Sequence, residues 1–427
     1  MFDRRQFIAS SVATTVAATA AHSKASAADA NKPVKVGVMG LSRGMSLATD
    51  LAKMDGVEVK YICDVDSTRL ASGAEKLGKI AGTSPEAITD FRKILDDKEV
   101  DALVCAAPNH WHGPATIMAC KAGKHVYVEK PASHNAQEGE WMIEAAEKYN
   151  RVVQVGTQRR SAPEMIQAME KLQSGAIGKV FLSRGYYVNQ RGSIGKVEPS
   201  APPENLDYAL WEGPAPHREY KSNVVPYNWH WNWHWGGGEL ANNGVHTLDI
   251  CRWGMGVDYP TRTTISGGRY CYDDDQITPD TQVVAFEFGD GSQITWQGTS
   301  CNKHNVNPFV SFYGTEGSME VDSNGGFKLF NRANKMVEEV KGTNNGQLAH
   351  LTNFVDAVRS GDASTLNQPI AEGHCSTMMC HLGVIAYRTG QDVVSDPSNG
   401  HIQGPQEQKA MWGREYNPAW EADVSKI

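Results

Sequence analysis

A chain of 427 residues with 40% hydrophobic and 21% charged side chains can bury more than one core, and chains of this length usually divide into two or three domains. Its net charge of −8 provides no basic field for nucleic acid or an anionic membrane surface, so the composition points to a small-molecule ligand. The eight cysteines form no Cys-x-x-Cys pair and no framework spacing, which fits buried thiols better than a metal centre or a stapled fold.

Residues 1–30 read as an export signal. Arg4-Arg5 precede a weakly apolar run rich in Ala, Ser and Thr, and Ala25-Ser26-Ala27 supplies a small-x-small cleavage site, the layout of a twin-arginine signal. The run is too short and too polar to span a bilayer, which takes ~20 apolar residues. The mature protein is therefore expected in the periplasm, with no membrane association after export.

Val34–Gly40 should form a strand entering a glycine turn, with Leu47, Ala48, Leu51 and Met54 on one face of the helix that follows. In that context main-chain N–H groups at a helix start can hold a phosphate. The turn reads Gly40-Leu41-Ser42-Arg43-Gly44 and departs from G-x-G-x-x-G at Ser42 and by a third glycine one residue early. The next strand, Val57–Cys63, ends at Asp64, about 20 residues past the turn, where a carboxylate meets an adenosine ribose and disfavours a 2′-phosphate. Gly40, Ser42, Arg43, Gly44 and Asp64 are the expected contacts for NAD rather than NADP.

The alternation continues with helices over 67–79 and 92–96, a strand over 101–106 ending at Ala107-Pro108-Asn109, and a helix to Ala122. A strand then runs from His125 to Lys130, a helix carries Trp141, Ala145 and Tyr149 on one stripe, and a strand spans Val152–Val155. Strands separated by helices imply a parallel sheet. That topology brings Asn109 and Lys130 to the edge holding the glycine turn and Asp64, where open α/β sheets bind ligands.

The motifs AAPNHWH (106–112), VEKPASHNAQEG (128–139) and VVQVGTQRR (152–160), with YGTEG (313–317) and EGHCSTMMCHLG (372–383), resemble the Gfo/Idh/MocA oxidoreductase family. The resemblance implies a doubly wound Rossmann sheet followed by a carboxyl-terminal α+β domain with an open, mostly antiparallel sheet that often mediates homo-oligomers. It divides the chain into a signal (1–30), an NAD-binding domain (31–157) and a substrate-binding domain with a wrap-around tail (158–427). It also implies that Glu129-Lys130-Pro131 lies beside the nicotinamide, with Lys130 catalytic, and that Asn109, His112, Glu129 and Gln158 join the cofactor contacts.

After Gly156 short bursts at 180–188, 283–288, 293–297 and 309–313, with a hairpin turn at Gly289-Asp290-Gly291, predict the antiparallel sheet. Between the first two lies a long Pro-, Asn- and Trp-rich excursion, Gln190–Trp235. Insertions of that length in compact domains are usually functional, and its aromatic content argues against disorder. Within it His230 and Trp231 are candidate sugar contacts, since indole faces beside polar donors suit such surfaces. A metal at His230 and His234 lacks a third ligand, so no metal is expected.

Gly236–Asp249 (GGGELANNGVHTLD) resembles the second family signature, in which an Asp commonly precedes the His by four residues. Here that position is Asn242, expected in the catalytic set with Lys130 and His246 although an amide cannot take a proton as a carboxylate does. His246 remains an acid/base candidate and Asn243 a substrate contact. Tail helices are expected around 354–360 and 375–388. Three functions fit: NAD-dependent oxidation of a sugar hydroxyl with a tightly bound cofactor, redox-neutral cleavage of a glycoside by transient oxidation, or non-catalytic sugar binding.

Overall fold

The computed structural model describes residues 32–304, 308–344 and 346–425; the twin-arginine segment lies outside the described residues. In chain order the first half comprises β1 (Val34–Met39), α1 (Gly44–Leu51), β2 (Val57–Cys63), α2 (Ser67–Ala81), β3 (Glu86–Ile88), α3 (Arg92–Asp96), β4 (Ala102–Cys105), α4 (Asn109–Lys121), β5 (His125–Val128), α5 (Ala136–Lys148) and β6 (Val153–Val155). The six strands form one parallel sheet in the order β3-β2-β1-β4-β5-β6, the order of a doubly wound dinucleotide-binding domain. All four residues of β4 and Val126–Val128 of β5 are buried, as a sheet covered on both faces requires. Local chemistry sets the helix ends: Asp66 accepts from the N–H groups of Thr68 and Arg69 to start α2, Asn135 accepts from Glu138 N–H to start α5, and Gly82 closes α2 in the left-handed region.

The second half contains α6 (Pro163–Gln173), β7 (Val180–Val188), α7 (Tyr208–Glu212), α8 (Val245–Met255), β8 (Arg262–Gly268), β9 (Thr281–Glu287), β10 (Gln293–Thr299), β11 (Val310–Gly314), β12 (Gly317–Val321), β13 (Phe327–Asn331), β14 (Met336–Val340), α9 (Gly346–Ser360), α10 (Ile370–Thr389) and β15 (Val393–Val394). Its nine strands run β14-β13-β12-β11-β7-β10-β9-β8-β15, antiparallel except for β10 beside β7. Burial alternates along β9 and β10, so only one face meets the core. That face packs Phe286, Trp296 and Phe312 against Met169 of α6, Leu248 of α8 and Met379 of α10. On the same sheet Phe181 and Val283 remain 47% and 45% exposed.

The division at residue 157 describes the sheets but not the layers over them. Leu351, Phe354 and Val355 of α9 return to the first sheet and pack with Val36, Val38 and Leu47. Trp420 and Val424 of the tail pack on its opposite side with Leu103, Val126 and Met142. Each returning stripe buries apolar area that a chain ending at 157 would expose, at about 25 cal/mol per Å². Six of the eight cysteines are buried, Cys301 is half-buried and Cys271 is exposed.

Candidate functional site

A cleft of ≈ 1210 Å³ runs along the carboxyl edge of the parallel sheet. Of the residues singled out from the sequence, Gly40, Ser42, Arg43, Asp64, Asn109, His112, Glu129, Lys130, His230 and Asn242 line it. Gly40 has φ of +88°, and a Cβ there would stand 2.6 Å from the Ala106 carbonyl oxygen, so only glycine lets the backbone turn this tightly. Gly44 opens α1 without lining the cleft; its side is taken by Val38 and Ala106.

Asp64, at the end of β2, is buried and has structural partners of its own. One carboxylate oxygen accepts from Leu41 N–H at 2.7 Å and the other from Asp66 N–H at 3.0 Å. Burial raises its pKa, while those two N–H donors and Arg69 pull it down. The same carboxylate therefore holds the glycine turn in shape and faces the cleft.

Glu129 does not pair with the side chain of its neighbour Lys130. One oxygen takes Arg43 Nε at 2.8 Å and the other the Lys130 main-chain N–H at 3.2 Å, which ties the glycine turn to the loop after β5. His112 fixes that loop from α4, with Nδ1 2.6 Å from the Pro131 carbonyl and Nε2 2.9 Å from that of Ala107. Burial depresses its pKa although both carbonyls oppose the shift.

Lys130 Nζ crosses to the second half of the chain, donating to the Asn242 main-chain carbonyl at 2.7 Å and to its side-chain oxygen at 3.3 Å. Asn242 sits in a π-helical turn, Leu240–Gly244, directly before α8, a deviation often found at functional sites. Burial lowers the Lys130 pKa; Glu129 and Glu239 oppose that, and Arg43 and Arg159 reinforce it. His246, in the first turn of α8, is not among the residues that line the cleft, and its buried Nδ1 has no partner among the described residues. Burial, then Lys130, Arg159 and Arg43, hold its pKa well below the usual histidine value, so its ring is neutral.

Other expected contacts fall elsewhere. Gln158 lines a separate cavity with Asn324 and Gln347, because the 3-10 turn at 158–161 directs it toward α9. Trp231 is buried under the Arg191 guanidinium, 4.6 Å from its ring. Asn243 bonds Glu239 instead of opening to the cleft. His230 faces the cleft, stacked on Trp229 at 3.6 Å with Nδ1 2.6 Å from the Tyr227 carbonyl; burial pushes its pKa down to about 3. Asp249, the last residue of the second signature, turns into the core and takes Arg160 at 2.8 Å.

Two features of the site escaped sequence reasoning. One is Glu239, buried and paired with Arg191 at 3.0 Å, with Tyr187 OH 3.1 Å from the same guanidinium. A lone acid between the glycine run at 236–238 and the Asn242-Asn243 pair was the available signal. The other is where the excursion goes: it straps over the Asp64 end of the cleft, its Asn205 carbonyl taking Ser67 N–H at 2.9 Å and its Asp207 N–H donating to the Val65 carbonyl at 2.9 Å. The Trp211 carbonyl accepts from Trp111 Nε1 at 3.0 Å, and Leu210, Trp211, Tyr227 and Trp229 form the cleft's outer wall.

A glycine cradle that a Cβ would fill, a carboxylate at the end of β2 and an apolar slot lined by Phe91 and Trp211 fit a dinucleotide. Family models described as an oxidoreductase family with an NAD-binding Rossmann fold and as its C-terminal alpha/beta domain match residues 34–157 and 184–422. The chain belongs to the Gfo/Idh/MocA oxidoreductase family. Its Rossmann domain binds NAD.

Among relatives of this family, levoglucosan dehydrogenase of Pseudarthrobacter phenanthrenivorans is 26% identical over 281 residues, covering 61% of this chain and 64% of that protein. Myo-inositol 2-dehydrogenase of Thermotoga maritima is 25% identical over 68% of this chain and 75% of its own. Glycosyl hydrolase family 109 protein 1 of a Shewanella species is 24% identical over 37% and 35% of the two chains. The solved structure of a levoglucosan dehydrogenase with NADH and levoglucosan superposes with a TM-score of 0.67 at 19% identity, covering 85% of this chain and 99% of that one; it shares the fold.

Proposed function

We propose that this protein oxidises a hydroxyl of a sugar or sugar derivative with an NAD that stays bound between turnovers. The observation that carries the reading is Lys130, held at the cleft by Asn242 and depressed in pKa by burial. When bound, NAD supplies a hydride acceptor, so the chain's own residues need only orient the substrate and take its proton. A neutral Lys130 amine gives its two N–H bonds to the two oxygens of Asn242, which leaves its lone pair for the substrate hydroxyl. An amide partner keeps that amine neutral more readily than a carboxylate would, because it adds no negative charge to favour the ammonium. Neutral His246, one helical turn beyond Asn242, is the second acceptor. Arg191, Tyr187 and Tyr227, organised on buried Glu239, offer donors to further hydroxyls.

The strap supports retention of the cofactor: it walls the adenosine end and is bonded to the β2–α2 turn and to α4. The test is to purify the exported protein, measure NAD retained after gel filtration, and assay free sugars and polyols. NADH formation at one equivalent per protein, followed by turnover when a keto-sugar is added, supports the reading. Protein that neither carries nor binds NAD overturns it.

A second reading is favoured by Asn242 itself. Redox-neutral glycoside cleavage, in which oxidation acidifies a neighbouring C–H, the aglycone is eliminated, water adds to the resulting unsaturated ketone and the hydride returns, needs no exchange of cofactor. Aryl-glycoside cleavage without net NADH would select it over the first.

We further propose export by the twin-arginine route, supported by Arg4-Arg5 and Ala25-Ser26-Ala27; substituting both arginines by lysine should leave the precursor in the cytoplasm. The exposed Phe181 and Val283 on the open face of the nine-stranded sheet support a homo-oligomer there. Sedimentation of wild type against Phe181→Asp tests it, and an unchanged oligomeric state removes that face as the interface.

A further inference from the structure

A second cavity, ≈ 1400 Å³ in volume, lies between the loop after β5, the strap, α10 and the tail, and shares no lining residue with the nucleotide cleft. The aromatic run at 227–235 divides between them: Trp229 and His230 face the cleft, Trp233 and His234 the second cavity.

The lining is cationic. Arg218, Arg388 and Arg414 contribute against one carboxylate, Glu415, and neither Arg218 nor Arg388 has an ion-pair partner among the described residues. Arg414 is only partly satisfied. Its Nε and Nη2 meet Glu138 Oε1 at 2.8 and 2.7 Å, and Nη2 also donates to the His110 carbonyl at 2.7 Å. Its Nη1 is buried with no acceptor. Glu138 also takes Tyr416 OH at 3.0 Å and His134 N–H at 3.2 Å. Beside Arg414, His134 Nδ1 is likewise buried and without a partner, and burial together with the Arg414 charge keeps that ring neutral.

Those two atoms are closed off from solvent, so the cations that open into the cavity are Arg218 and Arg388, both exposed. A guanidinium fork with no carboxylate partner, as at Arg218 and Arg388, matches the two oxygens of a carboxylate or phosphate. The rest of the wall is not polar: Trp233 presents its ring under Arg388, 6.0 Å away, and Ile277, Ile385 and Met411 continue the apolar surface.

We propose that this cavity is a second small-molecule site, which takes an organic oxyanion: a carboxylate or phosphate carried on a ring, its charge on Arg388 and Arg218 and its ring against Trp233. It stands apart from the reaction proposed above and does not depend on it.

Calorimetric titration of the full protein saturated with NAD tests the site, because NAD occupies the other phosphate-binding surface. The probes are D-glucuronate, glucose 6-phosphate, inorganic phosphate and, as the neutral control, glucose. The comparison is with Arg218→Gln/Arg388→Gln, two exposed side chains whose loss leaves the fold intact. The expected result is saturable binding of both sugar anions, weakened about tenfold or more in the variant, with the glucose response the same in both proteins. Three results each overturn the site: no binding of either sugar anion at millimolar concentration, equal affinity in the variant, or inorganic phosphate binding as tightly as the sugar anions, which would mark an adventitious ion only.

Discussion

Lys130 Nζ stands 2.7 Å from the main-chain oxygen of Asn242 and 3.3 Å from its side-chain oxygen, so the lysine's partner across the cleft is a neutral amide presented twice. Removing the amine should abolish turnover while sparing the fold. Lys130→Ala is expected to lower kcat by roughly 10²–10⁴-fold, the range for losing a general acid or base, with retained NAD and an unchanged melting curve.

Asn242→Asp tests the electrostatic role of that amide. A carboxylate beside the amine favours its charged form and should raise the Lys130 pKa. Catalysis that needs the free amine rises as pH passes that pKa, so the acid limb of kcat/KM should move to higher pH. A limb that stays in place would transfer the base role to His246, and His246→Ala would then remove the limb altogether.

Much of the first half could be read from periodicity. Its strands are buried on both faces and appear as unbroken apolar runs, and Gly40, Asp64, Asn109 and Lys130 fall at strand ends that right-handed crossovers place on one edge. The second half yielded less. β8 and β12–β14 were not anticipated, because short edge strands such as Met336–Val340 carry exposed Val and Glu with no clean alternation. The destination of the excursion was hidden for a different reason: main-chain bonds such as Ser67 N–H to the Asn205 carbonyl leave no trace in side-chain identity. Gln158 and Asn243 sit inside recognisable motifs, yet a 3-10 turn and the Glu239 carboxylate redirect them. Motif membership does not fix where a side chain points.

Asp64 has two duties, and its variants should separate them. Asp64→Asn keeps an oxygen for Leu41 N–H, whereas Asp64→Ala frees that buried donor. Losing hydrogen bonds to a charged group costs about 1.5–3 kcal/mol, so NAD affinity should fall roughly 10–100-fold in both. Only Asp64→Ala should also lower the melting temperature, as followed by circular dichroism.

Asp249 and Arg160 form a buried pair that joins the turn after β6 to α8. Gln368 Nε2 and Ser376 Oγ complete it at 3.1 and 2.6 Å. Burial pushes the Asp249 carboxyl up, but Arg160, Arg252 and the Ser376 hydroxyl outweigh it and hold the pKa below the usual carboxylate value. A depressed carboxylate contributes stability above its unfolded pKa and loses it as pH falls through the folded one. Wild type should therefore keep this contribution at neutral pH and lose it only in strong acid. Asp249→Asn strands the guanidinium and should cost about 3–5 kcal/mol at pH 7, a deficit that urea melts should show shrinking as pH falls below the ordinary carboxylate range.

If the strap retains the cofactor, trimming its wall should release NAD without unfolding the protein. Leu210 and Tyr227 line the cleft and are only partly buried, Tyr227 being 46% exposed, so replacing both with alanine removes contact area without opening a core cavity. At about 25 cal/mol per Å², the area two such side chains can lose corresponds to roughly a tenfold or greater rise in the NAD dissociation constant. The double variant should emerge from gel filtration depleted of NAD, with its circular dichroism unchanged and its NAD content restored by added NAD. Full occupancy in that variant would place retention in the glycine turn and Asp64 instead of the strap.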